Sequence, residues 1–381
     1  MFQWAKQQLA NVAGTQEPIW GPSAIKPVSE EHAPGGYTEL SRESLTWKEL
    51  DHTNVESQTF YFVADSGRLA WVQVLYSNVI GIAISGHLNI KIYSKDPSKP
   101  HFWSSLPING IRFSEDKTAI YAEGLSIELS EDGKSYKIKT SVSEGTAVDL
   151  TVTRVSPGFH VGKDGTTLYG TDLENPWGSM RHAYWPSCVA EGTITIKEEG
   201  AVDFHGQSMF VYALQGMKPH HAAGKWNFAY FQGPNHSAVM MEFTTPPSYG
   251  STVVNVGGIT KGDTIQFAGS NNRVVHVKTE QDPDSDWLEP TRANYTWKGK
   301  DKDGNQVEAN VEEDLGARLD RIDIMAELPA FVKSILATAV GLKPYCYQFQ
   351  YATKASLRIK VGEEEIVEEG QLIAEATFIC L

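Results

Sequence analysis

Four side chains of the 381-residue chain have types suited to moving a proton. His182 and His205 fall in or beside runs that read as strands, with Tyr184 and Asp203 close by in sequence. An imidazole beside a phenol or a carboxylate is the minimum for general acid–base work on a small substrate. The same residues serve equally well as hydrogen-bonded parts of a fold, so they define an enzymatic alternative, of hydratase or isomerase type, and no catalytic residue is assigned. His220 and His221 are adjacent. On a strand they point to opposite faces and cannot share one ion, so no metal site is expected. Cys188, Cys346 and Cys380 are odd in number and far apart, without the short separations of metal or redox motifs, and read as reduced thiols of a cytosolic protein. Neither GxGxxG, nor the phosphate-loop pattern, nor the GxSxG nucleophile elbow occurs, so no cofactor is expected. A triad assembled in space is not excluded by spacing.

Aromatic residues carry the stronger pattern. Trp226, Phe228 and Tyr230 alternate, as do Tyr345, Tyr347, Phe349 and Tyr351, and alternation on a strand puts each set on one face. The ordinary reading is core, since aromatics dominate core burial. The functional reading is the wall of an apolar ligand cavity with a few orienting polar groups. Strand parity gives the candidate pocket as Phe60, Phe62, Trp71, His182, Tyr184, Trp226, Phe228, Tyr347 and Phe349.

These residues need strands to position them, and the chain supplies a long series. Short runs rich in Val, Ile, Thr and aromatics, such as 59–64, 68–76, 87–93, 119–129, 136–142 and 148–155, are separated by Gly, Asp, Asn, Ser and Pro clusters. The spacing, with no amphipathic helices between strands, predicts an all-β fold of antiparallel meander barrels, a form that leaves few open edges and holds one small ligand. The Asp132–Gly133 turn has a counterpart at Asp303–Gly304, 171 residues later, which suggests two tandem barrels. We expect a helix over 1–14, a connector over 15–44 with Pro and Gly concentrated between Glu17 and Tyr37, a first barrel over 45–217 and a second over 218–381.

Two helices interrupt the β pattern. On a helical wheel Met1, Phe2, Ala5, Leu9 and Val12 share a face and Gln3, Lys6, Gln7 and Asn11 the other, which suits either packing on a barrel or lying in a membrane surface. A second helix is expected near Leu328–Leu342, with Phe331, Ile335, Leu336, Ala339 and Leu342 at helical spacing; it falls short of a membrane span. A net charge of −14 sets an unfavourable field against nucleic acid and anionic lipid, so any membrane contact must come from inserted apolar side chains.

Particular stretches go further than the pattern. The opening MFQWAKQQLANVAG followed by EPIWGP, the stretch MRHAYWPSCVAEGTI from Met180, KWNFAYFQG from Lys225 and LPAFVKSILATAVGLKP from Leu328 together resemble the fungal survival factor 1 family over essentially the whole chain. The resemblance implies a tandem lipocalin-like protein, similar in architecture to bacterial carotenoid hydratases. It implies non-vesicular movement of ceramide from endoplasmic reticulum to Golgi, a role in survival under oxidative stress, and peripheral membrane contact through an acetylated amphipathic N-terminal helix, which Met1 and Phe2 match by position and type. It supplies no ligand-contacting residues one by one.

Overall fold

A computed structural model describes residues 18–30, 33–79, 83–94, 96, 99–197, 199–316, 318–323, 344–350 and 354–380. The helices expected over 1–14 and near 328–342 lie outside the described residues.

The first barrel is a meander of eleven strands: β1 Asn54–Ala64, β2 Leu69–Val79, β3 Ala83–Ile92, β4 Phe102–Pro107, β5 Arg112–Phe113, β6 Ala119–Ala122, β7 Leu125–Leu129, β8 Ser135–Ser143, β9 Thr146–Arg154, β10 Gly178–Ile196 and β11 Gly206–Gln215. They hydrogen-bond in the order β4-β3-β2-β1-β11-β10-β9-β8-β7-β6-β5. The last strand therefore returns to pair with the first, from Gly206 opposite Ala64 to Gln215 opposite Val55. The two ends of the sheet, β4 and β5, are neighbours along the chain, as in a sheet curled almost shut. A four-residue helix, α1 Pro219–Ala222, leads into the second barrel.

That barrel repeats the plan with β12 Lys225–Gln232, β13 His236–Thr244, β14 Val253–Lys261, β15 Thr264–Gly269, β16 Arg273–Gln281, β17 Leu288–Lys300, β18 Gln306–Asp314, β19 Arg318–Asp323, β20 Tyr345–Gln350, β21 Ala355–Val361 and β22 Glu364–Phe378. Again the last strand pairs with the first, β22 with β12, and the free ends β15 and β16 are consecutive. β19 and β20 form a flap on the C-terminal half of β22.

The first strands begin at Asn54 and Lys225, which are 171 residues apart (225 less 54). That matches the offset read from the Asp-Gly turns, and Gly133 and Gly304 both hold the positive φ such turns require. The turns themselves are not equivalent. Counted back from each closing strand, Asp132–Gly133 joins the fifth and fourth strands, whereas Asp303–Gly304 joins the fourth and third.

Alternation places Phe60 and Phe62 inside the first barrel and Tyr61 and Val63 outside it, yet all four are buried. A strand covered on both faces reads as an unbroken apolar run, and TFYFVA is one. Inside, Phe60, Tyr136, Trp185 and Phe210 pack with ring centroids 4.8–5.3 Å apart. The 19-residue β10 needs glycine at position 192, where φ is 131° and a Cβ would sit 2.1 Å from the Asp149 carbonyl oxygen.

The stretch expected as a connector is built into the fold over its described part. Residues 25–26 pair with 168–169 and 37–39 with 159–161, and Leu40 joins the core of the first barrel, as do Leu45 and Trp47 just beyond the stretch. The buried Glu56 carboxylate holds the residues that follow the stretch, accepting the Lys48 and Glu49 backbone N–H groups at 2.6 and 3.0 Å and the Tyr212 hydroxyl at 2.5 Å. Pro and Gly there shape a docked path instead of conferring freedom.

Candidate functional site between the barrels

The barrels meet face to face through their outer surfaces. β1, β2, β10 and β11 contribute Tyr61, Trp71, Tyr184 and Val211; β12, β13, β14 and β22 contribute Phe228, Phe243, Val256 and Ile373, all in one buried apolar layer. Tyr61 stacks on Phe228 across the junction, with centroids 5.4 Å apart and planes at 22°.

The structure divides the nine candidate pocket residues among three places. Phe60 and Phe62 lie in the core of the first barrel. Tyr347 and Phe349 lie in the core of the second, with the Tyr347 hydroxyl donating to Asp282 at 2.6 Å. Trp71, Tyr184 and Phe228 belong to the layer between barrels, and Trp226 packs against it. His182 joins them, its ring 6.2 Å from that of Tyr184 and 6.3 Å from Phe243 of the other barrel. Burial lowers the His182 pKa to about 4, with Arg181 adding to the shift, so the imidazole is neutral at pH 7.

His205 and Asp203 are not part of this group. His205 is exposed and its Nδ1 lies 2.8 Å from the Asp65 carboxylate. It precedes Gly206, whereas His182 faces Ala213, so the two stand roughly 24 Å apart along β11. The proton-transfer set considered from sequence is dispersed. Among the described residues no group of three or more His, Cys, Asp or Glu side chains is arranged for a metal ion.

Sequence reasoning missed the polar core of the layer. The Trp71 Nε1–H donates to the Tyr93 hydroxyl at 3.3 Å, and that hydroxyl donates to Gln348 Oε1 at 2.8 Å. Gln348 Nε2 donates to Glu375 Oε1 at 2.8 Å, and the Tyr61 hydroxyl donates to the same oxygen at 3.2 Å. Lys91 and Asp320 form an ion pair at its margin. The chain of bonds runs from one barrel to the other and back. Tyr61 and Glu375 are 314 residues apart, so no local spacing reveals them, although a single carboxylate within LIAEATF is itself a signal of a buried, partnered charge.

Glu375 and Cys346 have their pKa values raised, mainly by burial, yet both keep part of their surface accessible. Both therefore sit in the layer between the barrels without being sealed from its margin. Met241 and Trp226, also partly accessible, lie on β13 and β12 beside them. One hydroxyl of the layer, that of Tyr184, is buried without a hydrogen-bond partner. Buried unpartnered polar groups are costly and call for an explanation. A cleft of about 60 Å³ beside Gly224, Thr244 and Cys380 is far below the size of ligand pockets.

The raised Glu375 pKa has a testable sign. The folded protein holds this proton more tightly than the unfolded chain, so its stabilisation is complete below the unfolded pKa, about 4.3, and is lost as pH rises through the folded value. Glu375→Gln keeps an acceptor oxygen for Tyr61 and Gln348. We expect it to raise the melting temperature at pH 7.5 and to narrow the difference between pH 5 and pH 7.5, with a residual slope from Glu56 and Glu242, which burial also raises. An unchanged slope in thermal melts followed by circular dichroism would show that Glu375 is solvated.

Two curled meanders, each closed by its own last strand and packed face to face, define a tandem lipocalin-like protein. Solved structures share that fold: CghA, 10% identical, with a TM-score of 0.56 and 94% of this chain and 98% of that chain covered, and kievitone hydratase from Nectria haematococca, 12% identical, with a TM-score of 0.54 and coverages of 96% and 99%. At such identities the likeness is one of fold. The chain belongs to the Svf1 family, whose model matches residues 2–380. It is 58% identical over 380 residues to the ceramide-binding protein svf-1 of Neurospora crassa, all of both chains being covered. It is 38% identical over 383 residues to the ceramide-binding protein svf1 of Schizosaccharomyces pombe, again with full coverage of both.

Proposed function

We propose that this protein binds a ceramide in the layer between its barrels and carries it between endoplasmic reticulum and Golgi membranes, supporting survival under oxidative stress. The observation that carries the binding site is the apolar layer holding a small, mixed set of polar groups, one of them, the Tyr184 hydroxyl, buried and unpartnered. A ceramide has two hydrocarbon chains and a neutral headgroup of one amide and hydroxyls, which both donates and accepts. Aromatic walls from Trp71, Phe228 and Phe243 suit the chains; Tyr61, Tyr184, Gln348 and Glu375 suit the headgroup. A carboxyl group with a raised pKa also suits a neutral ligand better than an anionic one. The relatives' names support a ceramide-type ligand. On this reading the protein is not an enzyme, works from the cytosol as a peripheral membrane protein, and needs only binding and release.

Lipid extraction and mass spectrometry of the protein purified from its native cells tests the reading. We expect intact ceramide at a substantial fraction of the protein, lost from a Phe228→Asp variant that keeps its β-rich spectrum. Transfer between vesicles should stay within a few-fold of wild type for Asp203→Ala and His205→Ala, because a carrier has no transition state to stabilise. A chemically altered lipid product, or a hundredfold loss of turnover in either alanine variant, would establish the hydratase or isomerase alternative instead. A protein free of lipid would end both.

A further inference from the structure

An apolar, tryptophan-bearing surface lies outside the set of groups assigned to the lipid. Ile19 is 88% exposed and Trp177 39%, and the rings of Trp20 and Trp177 lie 4.7 Å apart. The backbone N–H groups of Trp20 and Gly21 donate to the Ser248 carbonyl at 2.8 and 2.9 Å, and Trp177 Nε1 donates to the Tyr249 hydroxyl at 2.9 Å. The pair is thus fixed on the loop between β13 and β14. Pro18, Pro22 and Pro176 flank it and are exposed. Within the segment 171–177 the charges are the exposed Asp172 and Glu174, with no Lys or Arg.

What covers such a patch can be argued from the chain that enters it. Seventeen residues precede Pro18, and the last residue of their apolar stripe, Val12, is six residues away, a reach of roughly 20 Å at most. Any bilayer touched by that stripe is within reach of the patch. Tryptophan suits the interfacial zone of a bilayer, with its ring apolar and its N–H polar, and the exposed Asp172 and Glu174 close to Trp177 in sequence disfavour anionic lipid and point to an uncharged surface.

We propose that Ile19, Trp20 and Trp177 form a second, folded membrane contact that seats the protein on an uncharged bilayer. Residue 177 immediately precedes β10, which enters the inter-barrel layer through Met180, His182 and Tyr184. The same loop joins β13 and β14, and Trp226 pairs with Phe243 near the end of β13. Seating on this patch therefore turns one end of the layer toward the lipid. The inference rests on the carrier reading and adds an orientation to it.

The test uses the full-length protein and vesicles of phosphatidylcholine and phosphatidylethanolamine, with flotation read as a partition coefficient. Ile19→Ser with Trp177→Ser should lower partition about tenfold, about 1.4 kcal/mol, with some loss of melting temperature from the broken Trp20 and Tyr249 contacts. Ile19→Ser alone, at a site with little packing to lose, should lower it about threefold. Wild-type partition in both variants overturns the inference. So does a melting temperature several degrees lower in Ile19→Ser alone with its partition unchanged, which would mean that the protein's own N-terminal segment covers the patch. Failure of the wild-type protein to float would instead count against the carrier reading itself.

Discussion

Changing Phe2 and Leu9 together to Asp is expected to remove the protein from vesicles and to leave its melting temperature where it was. Both side chains fall on the apolar face of the wheel over residues 1–14, and fully burying each is worth about 1.5 to 3 kcal/mol. Loss of about 3 to 6 kcal/mol lowers partition by roughly two to four orders of magnitude, before the cost of bringing carboxylates toward lipid. With a net charge of −14, no electrostatic attraction to anionic lipid makes up the difference. The backbone bonds of Trp20 and Gly21 to Ser248 fasten the chain beyond the altered residues, which is why folding stability is spared. Survival of flotation together with a melting temperature several degrees lower would make this segment a core element and end the anchor reading.

Trp185→Ala gives the largest expected loss of stability. Trp185 is fully buried, packs on Tyr136 and Phe210, and lies under the Arg154 guanidinium at 6.0 Å. Truncating such a residue costs about 3 to 5 kcal/mol. The layer between the barrels holds as many buried aromatic side chains as either core, so the two barrels should unfold together. With an unfolding entropy of about 2.1 cal/mol/K per residue, the whole chain then loses roughly 4–6 °C in one calorimetric transition. Were the first barrel to unfold alone, its roughly 160 residues would give a fall of about 9–15 °C and a separate transition for the second. Two peaks in the calorimetric trace would show that the layer does not couple the barrels.

Architecture was legible in the sequence because alternation and turn residues are local signals. The strands around Phe60, Trp226 and Tyr347 follow their period, and the glycines of both Asp-Gly turns hold positive φ. Side was not legible. Parity says that Trp226, Phe228 and Tyr230 share a face and that Tyr347 and Phe349 share one, but not which face looks into a barrel. The first set faces the neighbouring barrel and the second its own core. The polar chain from Trp71 to Glu375 was out of reach for a different reason: it exists only once two barrels have docked. The equivalence drawn between Asp132–Gly133 and Asp303–Gly304 was off by one hairpin because short turns recur in every meander. The 171-residue period it suggested nevertheless separates the strands that begin the barrels.

Each barrel is sealed by its first and last strands, and this sets a timetable for synthesis. Ala64 of β1 finds its partner Gly206 only 142 residues later. At about 5 to 20 residues per second the ribosome delivers that partner roughly 7 to 30 s after β1 has emerged. Throughout that interval β1 can pair with β2 on one side while its other edge, a row of unpaired backbone N–H and C=O groups, waits open. Such an edge recruits any other strand nearby, so the seam that protects the finished protein leaves the growing chain open to mispairing until β11 arrives.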